Sequence, residues 1–423
     1  MKNLFLFISV IWISTLGCAP VAPYHFLQQT NIVTDTPAKQ TFNGCNDKLN
    51  FAPDLLHPEF TPIRYLRVNI HFIRRRNGNG NFSNEEGKLY AWYLIHFANN
   101  SLMQNTPMKL PVGNNTPALP IRIQLVLTGD EGNTDDGGVY FHDDDDAFLW
   151  KNIAESKQYD KYGKRKGEVL NIFMMEWNPD SLLSKHFKAK NDGVGMGTWC
   201  KIINAYHAFK DTIDEKGNKV NNGAWVFVGL LKHEIGHCLG LAHTYNENDG
   251  CEDTPKNNNC WGDGPPPCQT ASNNVMDYNQ CQCAYTPCQL GIIHKNFFTE
   301  NSLQRKMLRP DWCTLNYDST VFIKSGDSIV WNGGHELIGD LVIESGASLT
   351  IRCILGLPGE AKIKLESGST LVLDGATITN RCNEKWDGIE ISSSKKNKPI
   401  IIMKNGASLE NVIHPIEDNE KPH

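Results

Sequence analysis

The sequence predicts an α+β unit, a mixed sheet backed by two long helices, followed by an all-β region of β-solenoid type. Three observations predict it. Strand-like and helix-like segments alternate between about residues 61 and 312. Within them, the stretch from Ala224 to Leu241 is apolar on nearly every side, as a buried helix is. After Trp312 a strand-and-turn pattern is echoed 22 residues later and again, more loosely, after a longer gap.

The chain opens with Lys2 and an apolar run from Leu4 to Trp12 that reaches small residues near Gly17. That is the layout of a secretory signal over residues 1–18, and it is too short to span a membrane. Leu16-Gly17-Cys18 is similar to the end of a bacterial lipoprotein signal, which makes Cys18 a candidate lipidation site. The expected location is extracellular or at the cell surface, with any membrane attachment through that lipid. Residues 19–60, rich in Pro, Thr, Asn and Gln, read as a linker or pro-segment. The thirteen cysteines suit an exported chain in which disulfides persist. A net charge of −6 on 423 residues gives no reason to expect nucleic acid as a partner. The acidic run Asp143 to Asp146 reads as a solvated loop.

Regular structure in the 61–312 unit begins with the alternating strand Tyr65 to Ile73. A helix follows from Glu85 to Met103, with Ser83 as its N-cap. Ile121 to Leu127 and Val169 to Met175 are further strands, the second apolar enough to lie in the centre of a sheet. Between 318 and 423, Ile343-Glu344-Ser345-Gly346-Ala347-Ser348-Leu349-Thr350-Ile351 is echoed 22 residues later by Leu365 to Leu373, and more loosely by Lys404 to Leu409. Short strands joined by Gly-Ser and Gly-Ala turns at this period predict stacked coils. The pattern stops without an evident polar cap, which reads as part of a longer array. Trp386-Asp387-Gly388-Ile389 reads as a structural motif of one coil.

The chemistry is concentrated in His233-Glu234-Ile235-Gly236-His237-Cys238-Leu239-Gly240-Leu241-Ala242-His243. Residues four apart share a helix face, so His233 and His237 can chelate one ion. Gly240 permits the left-handed backbone that ends the helix and brings His243 round to the same ion. Three neutral imidazoles on Zn2+ leave the fourth position open to water, the arrangement of a catalytic zinc, with Glu234 placed as general base. Cys238 reads as a buried thiol. The six cysteines 251, 260, 268, 281, 283 and 288 suit a loop region stapled by bridges, although Cys281-Gln282-Cys283 is tight enough to consider as half of a second metal site.

This motif resembles that of the metzincin metallopeptidases, and its surroundings resemble the pappalysin (cytophagalysin) family among them. The likeness rests on the HEIGHCLGLAHT run, Cys251-Glu252-Asp253-Thr254-Pro255, Asn274-Val275-Met276-Asp277-Tyr278 and Cys281 to Gln289. It implies a metzincin-like fold for the α+β unit, Met276 in the turn beneath the zinc, and Tyr278 as a tyrosine that stabilises the oxyanion. It also implies bridges across the loop after His243, matched here as Cys251 with Cys268 and Cys260 with Cys283. Calcium (Ca2+) binds this loop in some members, but the segment from Cys251 to Pro255 is short for it. A pro-segment cysteine caps the zinc in related proteins, and Cys45 is the candidate for that latency ligand. The activity implied is a zinc metalloendopeptidase acting on a protein or peptide substrate. The competing expectation is a catalytically inert surface adhesion or binding protein with the same fold.

Overall fold

The computed structural model describes residues 23–415 apart from 29–30, 35–41, 130–136, 150–152, 178–182, 184–189, 212–222, 247, 255–259, 265–268, 280 and 393–396. The signal region and Cys18 therefore lie outside the described residues.

The first sheet runs in the order Ile123–Leu127, Arg64–Arg74, Leu170–Met175, Trp199–Ile203, Asp192–Met196. Val139–Asp143 shares the outer side of Arg64–Arg74 with Ile123–Leu127. Every pairing is parallel except the last, where Asp192–Met196 turns back antiparallel along Trp199–Ile203. Leu170–Met175 is buried at all six residues, as the central strand of a sheet covered on both faces must be.

The three longest helices among the described residues share a core with this sheet. Helix α1 (Asn84–Leu102) starts at the expected cap: the Ser83 hydroxyl accepts from the Glu86 N–H, and the Glu86 carboxylate accepts from the Ser83 N–H. Its buried residues Tyr90, Ala91, Leu94, Ile95, Ala98 and Leu102 recur at helical spacing and face the sheet. Helix α2 (Val228–Cys238) carries the histidine motif, preceded by the single turn Gly223–Val226 rather than continuous with it. Helix α3 (Pro287–Phe298) opens with a Thr286–Gln289 capping box and Pro287 in its first turn. Leu94, Ile172, Leu231, Met276 and Ile293 belong to the core on one face of the sheet, and Phe148, Phe173 and Trp199 to a second cluster.

The acidic run differs from expectation. Asp143 ends a strand and pairs with Arg74 at 2.6 Å. Asp144 is buried, accepts from Lys161 at 2.6 Å and takes the N–H groups of Asp146 and Ala147. The run therefore opens the helix Asp145–Leu149 instead of forming a loop, because carboxylates satisfy the free N–H groups of a helix start.

Beyond Trp312 the chain visits three parallel sheets in turn, and each strand pairs with the strand three places earlier. Val321–Ile323, Leu341–Ile343, Lys362–Leu365, Trp386–Ser392 and Val412–His414 form the first of these sheets. Ser328–Trp331, Ser348–Ile351, Thr370–Asp374 and Ile400–Lys404 form the second. His335–Glu336, Ile354–Gly356, Thr377–Thr379 and Ser408–Leu409 form the third. The 22-residue echo in the sequence is this register: Leu341 faces Ile363 and Leu349 faces Leu371. Ile343, Leu349, Leu365 and Leu371 point inward and are fully buried. Trp386 is likewise fully buried, its indole N–H on the Glu410 carbonyl at 2.8 Å.

The segment before residue 61 is woven into this region. Tyr24–Phe26 pairs antiparallel with Trp386–Ser392, and Ile32–Thr34 pairs parallel with Ile400–Lys404. Two short 3-10 turns follow, and Cys45 in the first forms a disulfide with Cys353. Cys45 is thus not a latency ligand. Its sulfur is committed to the strand region, which leaves no thiolate to offer a metal.

A buried charge cluster joins the two regions. Glu336 receives Arg305 at 2.7 and 2.8 Å and lies 3.4 Å from Arg381. Arg64 donates to the Glu336 carbonyl at 2.7 Å. Trp312 and Phe298 stack beneath Arg305 and Arg381, each about 4 Å from ring centroid to guanidinium carbon.

Candidate metal centre and its surroundings

Helix α2 ends in a Schellman arrangement. Leu241 N–H reaches back to Gly236 O at 2.9 Å and Gly240 N–H to His237 O at 3.0 Å, with Gly240 at φ +100. A side chain at 240 would strain this backbone and collide with Asn296. The chain then doubles back, and Thr244 N–H binds Met276 O at 3.2 Å. His243 is thereby held over the two helix histidines.

The same turn that holds His243 also holds His233. Asn274 Oδ1 accepts from Met276 N–H, and its side-chain amide exchanges two hydrogen bonds with Gln289 of α3. The adjoining Val275 carbonyl accepts from His233 Nδ1 at 2.7 Å. His237 Nδ1 donates to Leu241 O at 2.9 Å, and His243 Nδ1 meets the Tyr245 hydroxyl at 2.8 Å. With each Nδ1 so engaged, the three Nε2 atoms face one another: His243 Nε2 is 3.1 Å from that of His233 and 3.0 Å from that of His237. Burial lowers all three imidazoles, His233 to about 3 and His243 to about 4, so they are neutral at pH 7. Three lone pairs aimed at one point repel unless a cation lies between them. The donor set fits a divalent ion that takes nitrogen ligands.

Glu234 follows His233 in helix α2 and is buried. Burial raises its carboxyl to about 8, with the Asp192 charge adding to the rise and the Gly195 N–H opposing it. A cation at the three histidines acts in the opposite direction and favours the carboxylate. Met276 is fully buried beneath the helix, and a Cβ at Gly236 would overlap its Sδ. Tyr278 is 44% exposed, with its ring 5.0 Å from that of His243 and 5.8 Å from that of His233.

Some residues at this site are not foreseen by the sequence reading. The edge strand Asp192–Met196 lies along α2, and Gly193 and Gly195 leave no room for a side chain against Glu234. The signal was present as glycines alternating within Asp192-Gly193-Val194-Gly195, a pattern that marks close backbone approach in a strand. Tyr245 and Trp261 complete an aromatic group around Tyr278, and Trp261 Nε1 donates to Asp277 Oδ1 at 3.0 Å.

The bridges differ from those matched by resemblance. Cys251 pairs with Cys288, not Cys268, because Asp253 caps the first turn of α3 by accepting from the Cys288 N–H and draws the two segments together. Cys283 pairs with Cys281, not Cys260, which also removes that tight pair as half of a second metal site. Cys260 is in a disulfide with another partner, and Cys268 lies outside the described residues. Cys313, at the boundary just after the first unit, pairs with Cys382. Cys238 is a free, buried thiol, as expected, and so is Cys200.

No protein-family model and no curated protein matches the chain. Its backbone is similar to that of mature mirolysin from Tannerella forsythia in complex with a cleaved peptide. That match has 16% identity and a TM-score of 0.38, and covers 58% of this chain and 95% of the other. A mutant of Tannerella forsythia promirolysin matches with 16% identity and a TM-score of 0.39, over 58% of this chain and 84% of that one.

Proposed function

We propose that this chain is an exported zinc endopeptidase of metzincin type, similar to the pappalysin family, with a β-solenoid as its C-terminal region. The observation that carries the reading is the convergence of three neutral Nε2 lone pairs from His233, His237 and His243 beside the buried carboxyl of Glu234. Zn2+ in this cradle would supply the Lewis acidity that polarises a scissile carbonyl and acidifies water. Glu234 takes the proton of the attacking water and delivers it to the departing amine. Tyr278, free on its outer side, turns its hydroxyl toward the oxyanion that develops on the carbonyl. Met276 supplies an apolar floor and is not a ligand. The exposed edge of Asp192–Met196 offers main-chain hydrogen bonds to an extended protein or peptide substrate across from Glu234.

Cysteines paired as disulfides agree with an oxidising, extracellular setting, and the reading of Cys18 as a lipid attachment point stands as part of this proposal. No helix among the described residues is long and apolar enough to cross a membrane.

The test is a peptide-library digest with cleavage sites mapped by mass spectrometry, and metal content measured on the same sample. One equivalent of zinc is expected, with internal cleavages that a chelator abolishes and zinc restores. Glu234→Gln should keep the zinc and lose at least about 100-fold in kcat, the range of a missing general base. Near wild-type turnover by that variant would refute the assignment of the base.

A further inference from the structure

The three imidazoles are anchored through Nδ1 by groups of different chemistry. His233 and His237 donate to the main-chain carbonyls of Val275 and Leu241, which can only accept. His243 meets a phenol, the Tyr245 hydroxyl, at 2.8 Å, and a phenol can donate or accept. The direction is set by the other end of the ring. His243 Nε2 faces the Nε2 atoms of His233 and His237 at 3.1 and 3.0 Å, so with a cation held between the three it must present a lone pair there. Its proton therefore resides on Nδ1, and the Tyr245 oxygen accepts it.

The phenolic proton of Tyr245 is then free to point elsewhere. On its other side lies the Tyr278 ring, with centroids 5.2 Å apart. The Tyr245 ring also stacks on His243, 4.8 Å between centroids and 18° between planes. A turn closed by Asn246 N–H on His243 O at 3.2 Å folds it back over its own neighbour.

We propose that Tyr245 is a positioning residue of the metal centre, whose hydroxyl fixes the tautomer and plane of His243. The proposal rests on the reading of the three histidines as a zinc site. It assigns to one side-chain oxygen the role that main-chain carbonyls play for the other two ligands. Hydrogen-bond partners of this kind are worth about 10–100-fold in metal affinity.

Tyr245→Phe keeps the stacked ring and removes only the oxygen. Its zinc affinity, measured by competition with a chromophoric chelator, should fall about 10–100-fold. The visible ligand-field bands of its cobalt(II) form should shift, and the melting temperature of the metal-free protein should stay at the wild-type value. Tyr278→Phe, which leaves the His243 anchor intact, should lower kcat and keep the zinc affinity. Equal zinc affinity and an unchanged cobalt spectrum in Tyr245→Phe would overturn the proposal. The spectrum is read per bound metal, so it decides even if the variant is less stable. A wild-type protein that takes up neither zinc nor cobalt would overturn the metal-centre reading beneath it instead.

Discussion

At the scale of single residues, the site is defined as much by missing side chains as by present ones. Gly236 lies between the two helix histidines, where a methyl group would overlap Met276 Sδ. Gly236→Ala must displace the turn that also anchors His233 through Val275 O. Overpacking of this kind costs about 1–3 kcal/mol. The expected outcome is a lower melting temperature together with weaker zinc binding, checked by thermal melts with and without metal. An alanine variant as stable as wild type would mean that Met276 can move aside freely. The two histidines and the glutamate were legible because their spacing is a property of one helix turn. Tyr245 was not, since nothing in one chain's order says which acceptor a third ligand will find.

At the scale of elements, caps decide where helices begin, and they were readable. Ser83 with Glu86 is a local pattern, and it starts α1 where the sequence places it. Ser83→Ala should destabilise the protein by about 1 kcal/mol without affecting the zinc affinity, since Ser83 starts α1 and the hydrogen bond from Lys232 of α2 reaches Ser101 at its other end. Denaturant titration beside metal competition checks both halves of that statement. The split of the expected helix 224–241 into Gly223–Val226 and Val228–Cys238 was not readable. The residues around the break, Ala224 to Leu231, carry no polar side chain, so no periodicity marks it. The edge strand Asp192–Met196 escaped for a related reason. Two of its five residues are glycines, chosen for contact with Glu234 rather than for strand propensity.

At the scale of the whole molecule, the two regions are tied into one body. The disulfides Cys45–Cys353 and Cys313–Cys382 cross between segments far apart in sequence, and Glu336 collects Arg64, Arg305 and Arg381 in the interior. Glu336→Ala leaves buried guanidinium groups without their carboxylate, a loss of about 3–5 kcal/mol. One calorimetric transition is expected for the wild type, and in this variant a lower one or two separate ones. A lone transition at the wild-type temperature would show that the cluster does not couple the regions.

The pH dependence of stability also belongs to the whole molecule. His71, His142, His294 and His335 lie outside the metal centre, and burial holds them down to between about 3 and 4. His71 donates from Nε2 to Asn171 Oδ1 at 2.9 Å and accepts at Nδ1 from His142, a pairing of neutral rings. Between about pH 6.5 and 4 the unfolded chain binds protons at these rings and the folded chain does not. Stability from this source is complete above about pH 6.5 and is lost as the pH falls toward 4. Melting temperatures of the metal-free protein should therefore drop across that interval, and a flat profile would contradict the neutral pairing.

What the sequence determined by itself was whatever depends on neighbours a few residues apart. That covers the helical spacing of His233 and His237, the glycine stop at Gly240, the cap of α1 and the 22-residue echo that became the register of one coil on the next in two of the sheets. Only the tertiary structure decided the partners of distant groups. It gave Cys251 to Cys288 and Cys283 to Cys281, withdrew Cys45 from any role at the metal, and laid the glycines of 193 and 195 against Glu234. The physical reason is the same in each case. A helix turn or a strand period is dictated by local backbone geometry, whereas a bridge or a close contact depends on which surfaces the collapsed chain brings within a few ångströms.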